Sequence, residues 1–185
     1  MSWFFGYGSL VNTKTHDYPD PRPASLKGWR RRWVQTPAQD VCFLSANAIG
    51  HGAIDGLIAR VPNDDWVALD ERETSYARHA IGHLIDPENA AHQIQVYSVP
   101  PQDYEIDTPP KPILLSYLDV VLLGFDTVFG REGVKAFIET TDNWERPIIN
   151  DRANPIYPRH QPLKKDDQAW IDPLLAELPS TIKEA

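Results

Sequence analysis

A change of period along the chain constrains its fold more than any other feature. Apolar residues mostly follow strand-like patterns through the first hundred positions and helix-like patterns after that. Residues 3–7 form a short aromatic-rich run, read as a buried strand that stops at Gly8-Ser9. Residues 12–24 read as loop, and residues 26–35 as a second strand. Residues 41–49 are apolar without a clear period. Residues 54–61 read as a strand with Leu57, Ala59 and Val61 on one face. Asn63 is placed as the N-cap of a helix reaching about Glu73, with Asp64 and Asp65 in the first turn, where carboxylates suit the helix dipole. Residues 76–85 and 93–99 alternate like paired strands, and 100–112, with five prolines, reads as loop. Leu114, Tyr117, Leu118, Val121 and Phe125 make one stripe of a helix over 113–125. Val134, Phe137 and Ile138 mark another near 131–140, and Trp170, Leu174 and Leu178 a last one. Strands first and helices later predict an α+β fold, with a curved or barrel-like sheet and helices on one side.

The length of 185 residues suits a single domain over 1–185, with a core of about 1–141 and a C-terminal arm over 142–185. The arm holds Trp144, Ile148, Ile149, Ile156 and Tyr157, too much apolar surface to hang free, so it is expected to pack on the core. Arg152 and Arg159 would then stand near the mouth of a pocket, where an acidic substrate would benefit.

A formal net charge of −8 repels phosphate backbones and argues against nucleic acid as a partner. The run Arg30-Arg31-Arg32 lies between Trp29 and Trp33 and reads as solvated charge on a strand beside core tryptophans. The single cysteine, Cys42, allows no intramolecular disulfide and no cysteine-based metal site, and reads as a small buried hydrophobe. The N-terminus lacks a basic segment and a long apolar run, so it does not read as a signal peptide. No apolar stretch approaches the length of a membrane span. A reducing, cytoplasmic setting is the expectation.

Three constellations could carry chemistry. Gly6-Tyr7-Gly8-Ser9-Leu10 follows a buried strand, where glycines let backbone turn sharply and approach a ligand, although a plain strand-to-loop turn is the commoner reading of the bare pattern. It is neither a Walker A motif nor a dinucleotide fingerprint. In Leu69-Asp70-Glu71-Arg72-Glu73, helical phase puts Glu73 with Trp66, Leu69 and Asp70 on the inward face and Glu71 on the outer one. A carboxylate on a buried stripe is either used or paired, here with Arg72 or Arg78. Tyr117 lies on the apolar face of its helix, seven residues before Gly124, and reads as a core tyrosine or a pocket wall. His79 and His83 share a strand face without a third ligand, too little for a metal site. No serine sits in a nucleophile-elbow pattern.

In this order the three features resemble the γ-glutamylcyclotransferase superfamily, over about residues 3–125. Tyr7-Gly8-Ser9-Leu10 looks like its substrate loop, with Leu in the fourth place as in ChaC-type members. Leu69-Asp70-x-x-Glu73 looks like its catalytic segment, whose final Glu is the acid/base, and Tyr117 with Gly124 matches a tyrosine bordering the pocket. Thr74 departs from the glycine many members have there. The resemblance implies a mixed, partly closed, β-barrel-like sheet with flanking helices. It also implies cofactor-free chemistry needing no metal or nucleotide. A small-molecule γ-glutamyl substrate would cyclise to 5-oxoproline, with Glu73 as acid/base and Tyr7, Gly8, Ser9, Leu10 and Tyr117 binding substrate. The alternative is a non-catalytic small-ligand binding module on the same scaffold. Oligomeric state is not legible in the sequence.

Overall fold

A computed structural model describes residues 1–86, 93–106 and 108–185 of the chain. Strand β1 (Ser2–Gly6) is buried along its whole length, because it lies mid-sheet with a neighbour on each side. Strands β2 (Arg22–Val34) and β3 (Phe43–Arg60) form a long antiparallel hairpin, broken by a bulge between Lys27 and Trp29. A short helix, α1 (Val67–Arg72), then leads through a turn into β4 (Ala77–Ala80). The short β5 (Ile85–Asp86) and then β6 (Gln93–Ser98) follow.

After a connection that includes a turn at Pro101–Asp103, β7 (Ile113–Leu114) runs into the main helix, α2 (Leu115–Glu139). Of the loop expected over 100–112, residue 107 lies outside the described residues. Strands β8 (Thr141–Asp142) and β9 (Ile148–Asn150), helix α3 (Lys165–Ala176) and strand β10 (Ile182–Glu184) complete the chain.

The seven-stranded sheet runs in the order β4-β6-β1-β3-β2-β5, with β8 also on β2. It is mixed, since β1 pairs β6 and β2 pairs β8 in parallel while the other pairs are antiparallel. The order has two ends, so the sheet is not a closed barrel. A second, three-stranded sheet, β10-β9-β7, is parallel throughout. The α+β expectation holds. Among the described residues, no helix is long and apolar enough to cross a membrane.

Two helices were expected where α2 stands, and the reason is visible at Gly130. Its φ of 68° and ψ of −173° are open only to glycine and interrupt the helical path. Phe125 and Phe137, twelve residues apart, would be about 18 Å apart along a straight helix. Their ring centroids are instead 4.9 Å apart, because the chain turns back at Gly130.

Arg31 fills the space these rings enclose. Strand alternation puts position 31 on the same face as Trp29 and Trp33, so the expectation of solvated charge is wrong for this arginine, which is fully buried. Its charge is met on every side. Nε donates to the Tyr7 carbonyl (2.9 Å), Nη1 to the Thr140 hydroxyl (2.7 Å) and Nη2 to the Asp55 carbonyl. The guanidinium lies about 5 Å from the centroids of Phe125 and Phe137. Burial lowers its pKa to about 9, which leaves it charged at neutral pH.

The helix start expected at Asn63 is also corrected. Pro62–Asp64 form a tight turn with Asn63 and Asp64 at positive φ, and the Asp64 carboxylate accepts the Ser2 N–H (2.6 Å), which ties β1 to the end of β3. Asp65 takes over next to the helix by accepting the Val67 N–H (3.0 Å).

The last stretch of chain is well supplied with contacts. Trp144, Ile148, Ile171 and Leu175 belong to the main core cluster, with Trp170, Leu174 and Leu178 packed against it. Arg152 donates to both Asp119 oxygens at 2.7 Å and to Asp172 at 2.6 Å. It therefore serves the fold and does not stand free at a pocket mouth, as the sequence reading had it.

Candidate active site

β1 delivers the 7–10 loop. Past Gly6 the chain enters a 3-10 turn over Ser9–Val11, closed by Val11 N–H to the Gly8 carbonyl (3.0 Å) and Asn12 N–H to the Ser9 carbonyl (3.1 Å). The glycine at position 8 is required by close approach. A Cβ there would stand 2.8 Å from the Tyr117 hydroxyl and 3.0 Å from Leu44 Cδ2. The Tyr7 side chain is committed inward, its hydroxyl donating to the Tyr97 carbonyl at 2.8 Å. Leu10 is buried in the core cluster.

α1 delivers Glu73. Leu69 is fully buried and anchors the helix, and one turn later Glu73 closes it, with its N–H on the Leu69 carbonyl (3.0 Å). Glu71 faces solvent, as phase predicts. Asp70, expected inward, is exposed. It is held at the surface by the Tyr97 hydroxyl (2.6 Å) and by Arg78 (3.2 Å). A turn from the Glu73 carbonyl to the Tyr76 N–H (2.8 Å) follows, and Thr74 fits it by donating its hydroxyl to the Glu71 carbonyl (2.6 Å).

The Glu73 side chain is 16% exposed. Burial pushes its pKa above the ordinary glutamate value of 4.5, against the opposing pull of Arg72 and Arg159. Arg72 Nε lies 3.4 Å from Glu73 Oε1. The same guanidinium donates to the Thr15 carbonyl (3.0 Å), the Thr15 hydroxyl (3.2 Å) and the Ser9 hydroxyl (3.4 Å). It thereby binds the 9–15 segment to the end of α1.

α2 delivers Tyr117. Its ring meets Trp33 and Tyr157 edge to face, at 6.0 and 5.0 Å, and its hydroxyl lies against the Ser9 backbone. Burial, with the nearby Tyr157 and Glu73, keeps that hydroxyl protonated. Gly124, two turns on, is where α2 meets the backbone of Asn12, whose side-chain amide donates to the Val120 carbonyl (2.9 Å).

These parts surround one cavity of about 350 Å³, within the usual range for small-ligand sites. Its walls include Ser9, the 39–44 segment, Arg72, Glu73, Tyr76, Tyr117 and the 156–159 segment. An inner cleft continues under the loop, lined by Tyr7, Gly8, Ser9, Leu10, Glu73 and Tyr117 among others. Glu73, Ser9, Leu44, Tyr76 and Tyr117 border both spaces.

All six residues singled out in the sequence thus meet here. Tyr76, Arg72 and the 39–44 wall were not anticipated as parts of the site. Tyr76 is fixed by its hydroxyl on the Leu44 carbonyl (3.0 Å). Cys42 also lines the cavity, but burial pushes its thiol up to about 11, and the thiol donates to the Lys111 carbonyl. Among the described residues, no group of three His, Cys, Asp or Glu side chains could hold a metal. His79 instead shares Nε2 with the Ser98 hydroxyl (2.9 Å), and His83 is exposed.

Residues 2–42, which include the 7–10 loop, match the family described as ChaC-like protein. No curated protein sequence matches the chain. Among solved structures, a γ-glutamyl cyclotransferase aligns over 93% of this chain and 98% of its own, with a TM-score of 0.58 at 13% identity. This is the γ-glutamyl cyclotransferase fold. The uncharacterized human protein loc79017 shares it, over 92% of this chain and 98% of its own, at TM-score 0.57 and 13% identity. YkqA from Bacillus subtilis aligns over 75% of this chain, at TM-score 0.57 and 18% identity. The chain spans about half the length of YkqA, 53% of it. The superfamily resemblance and the fold expected from it are both borne out. Within the γ-glutamyl cyclotransferase fold the ChaC-like match stops at residue 42, before Glu73 and Tyr117.

Proposed function

We propose that the protein is a γ-glutamylcyclotransferase, with Glu73 as its acid/base. The observation that carries this reading is a desolvated carboxyl at the junction of a ligand-sized cavity and a backbone turn. In the reaction the substrate's α-amine attacks its own γ-carbonyl carbon. A new C–N bond closes the five-membered ring, and the carbonyl oxygen becomes an oxyanion. Glu73 takes the proton the attacking nitrogen sheds and hands it to the leaving nitrogen as the original γ-amide bond breaks. The products are 5-oxoproline and a free amine, and Glu73 is regenerated.

Partial burial suits both halves of that task. It raises the carboxyl's proton affinity, while Arg72 keeps the ionised form accessible. Backbone N–H groups of the 7–10 loop are the candidate donors to the oxyanion. The Tyr117 hydroxyl, set against that loop, positions it and the substrate. Because ring closure is intramolecular, holding the substrate folded supplies much of the acceleration, and neither metal nor cofactor enters the scheme. The partner is a small γ-glutamyl compound, and the single buried thiol fits a reducing, cytoplasmic setting.

The test is release of 5-oxoproline from a panel of γ-glutamyl amino acids, γ-glutamyl amines and glutathione. Turnover of any one supports the reading. Tight binding of a γ-glutamyl compound with no 5-oxoproline from any would leave a binding module.

A further inference from the structure

One wall of the cavity has no task in this reaction. It is a strap over residues 151–159, and it is firmly built. Asp151 is buried, and its carboxylate accepts the Ser116 N–H (2.8 Å), the Ser116 hydroxyl (2.5 Å) and the Ile156 N–H (2.8 Å). The Ser116 hydroxyl oxygen in turn accepts the Tyr157 N–H (3.3 Å). Arg152 is clamped by Asp119 and Asp172, and the Tyr157 ring rests on Tyr117. The strap is thus fastened to the first turn of α2, the turn that carries Tyr117. Such a segment presents its next residues, Pro158 and Arg159, at a fixed place on the cavity rim.

Charge distinguishes Arg159 from the cavity's other arginine. Arg72 is committed to Glu73, Ser9 and Thr15. The Arg159 side chain makes no hydrogen bond or ion pair among the described residues, yet its field reaches Glu73. A planar guanidinium with free donors is matched by a planar anion, above all a carboxylate.

We propose that Arg159 binds a carboxylate of the substrate, making the strap a substrate-binding element of the site. The inference rests on the cyclotransferase reading. Every γ-glutamyl compound carries an α-carboxylate on the same carbon as the attacking amine, and a γ-glutamyl amino acid carries a second on its leaving side. A cation whose field reaches the base can serve either.

The experiment compares wild type, Arg159→Lys and Arg159→Met on a γ-glutamyl amino acid and on a γ-glutamyl alkylamine, which lacks the second carboxylate. Arg159 is exposed, so the melting temperature should not move. Arg159→Met should raise KM by about 10–100-fold, the value of a charge-assisted bond, with kcat changed far less. Arg159→Lys should recover part of the loss. A loss on both substrates assigns the α-carboxylate, and a loss on the amino acid alone assigns the leaving-group carboxylate. An unchanged KM on both overturns the proposal. The same pair of compounds titrated calorimetrically into Glu73→Gln, with and without Arg159→Met, reads binding without turnover. If wild type releases no 5-oxoproline, the cyclotransferase reading falls, and these titrations still decide whether Arg159 holds a carboxylate.

Discussion

Glu73→Gln and Glu71→Gln make the sharpest test, because the two residues are chemically identical and two positions apart. Glutamine keeps the size and shape of the Glu73 side chain but cannot exchange a proton at neutral pH. Loss of a positioned acid/base costs about 10²–10⁴-fold in turnover, or about 2.7–5.4 kcal/mol of barrier. The fold should survive. Arg72 loses an ionic partner at 3.4 Å but keeps its bonds to Thr15 and Ser9, so the 9–15 segment stays attached. Stability at neutral pH should hold or rise. The carboxyl's pKa is raised by folding, so between 4.5 and its folded value the native state holds more proton than the unfolded state. Stability of the normal protein therefore falls as pH rises through that window, and Glu73→Gln removes the fall. Turnover of the normal protein should rise from the acid side with a midpoint above 4.5, as Glu73 ionises. Glu71 is exposed, and Glu71→Gln should be nearly silent. The assays are 5-oxoproline release across pH and urea melts at pH 4 to 8. An active Glu73→Gln, or a dead Glu71→Gln, would refute the assignment of the base.

Tyr117→Phe keeps the ring between Trp33 and Tyr157 and removes the hydroxyl against the 7–10 loop. kcat/KM should drop by about 1–3 kcal/mol with little change in melting temperature; an unfolded variant with full specific activity in its folded fraction would mean that the residue is packing only. Gly8→Ala drives a Cβ into the Tyr117 hydroxyl and Leu44, so it should destabilise by about 1–3 kcal/mol, and adding Tyr117→Phe should recover part of that in thermal melts. Additive losses would show that the two groups do not meet. Arg152→Met leaves the buried Asp119 carboxylate unpaired and should lower unfolding free energy by about 3–5 kcal/mol in urea titrations, and Arg152→Met with Asp119→Asn should regain much of it. A neutral Arg152→Met would mean the pair is structurally idle.

The parts of the site that were legible lie in regular local patterns. Glu73 follows from helical phase with Leu69, and Tyr117 from the stripe of α2. The 7–10 loop follows from glycines after a run of buried aromatics. What was not legible depends on chain brought from far away. The 39–44 wall precedes and begins β3, whose middle at 48–53 is exposed and rich in glycine and alanine, so no alternation announces an eighteen-residue strand. Tyr76 is a single aromatic after a turn, and only its bond to the Leu44 carbonyl gives it a place. Arg152 and Arg159 are alike in sequence, but Asp119 and Asp172 claim the first and nothing among the described residues claims the second. Asn63 had the chemistry of a cap, yet a tertiary bond from Ser2 to Asp64 turned that segment to another use.

The buried guanidinium of Arg31 has a consequence for the loop 24 residues before it. A trans peptide is a rigid plane whose carbonyl and N–H point opposite ways. The Nε of Arg31 holds the carbonyl of Tyr7, so it also sets the direction of the Gly8 N–H at the other edge of the same plane. That N–H points away from the charge in the core. Flipping the plane would strip a buried, charged donor of its acceptor, at a cost of about 1–3 kcal/mol, several times thermal energy. The orientation of a backbone donor beside the cavity is thus locked from inside the protein, before any ligand arrives.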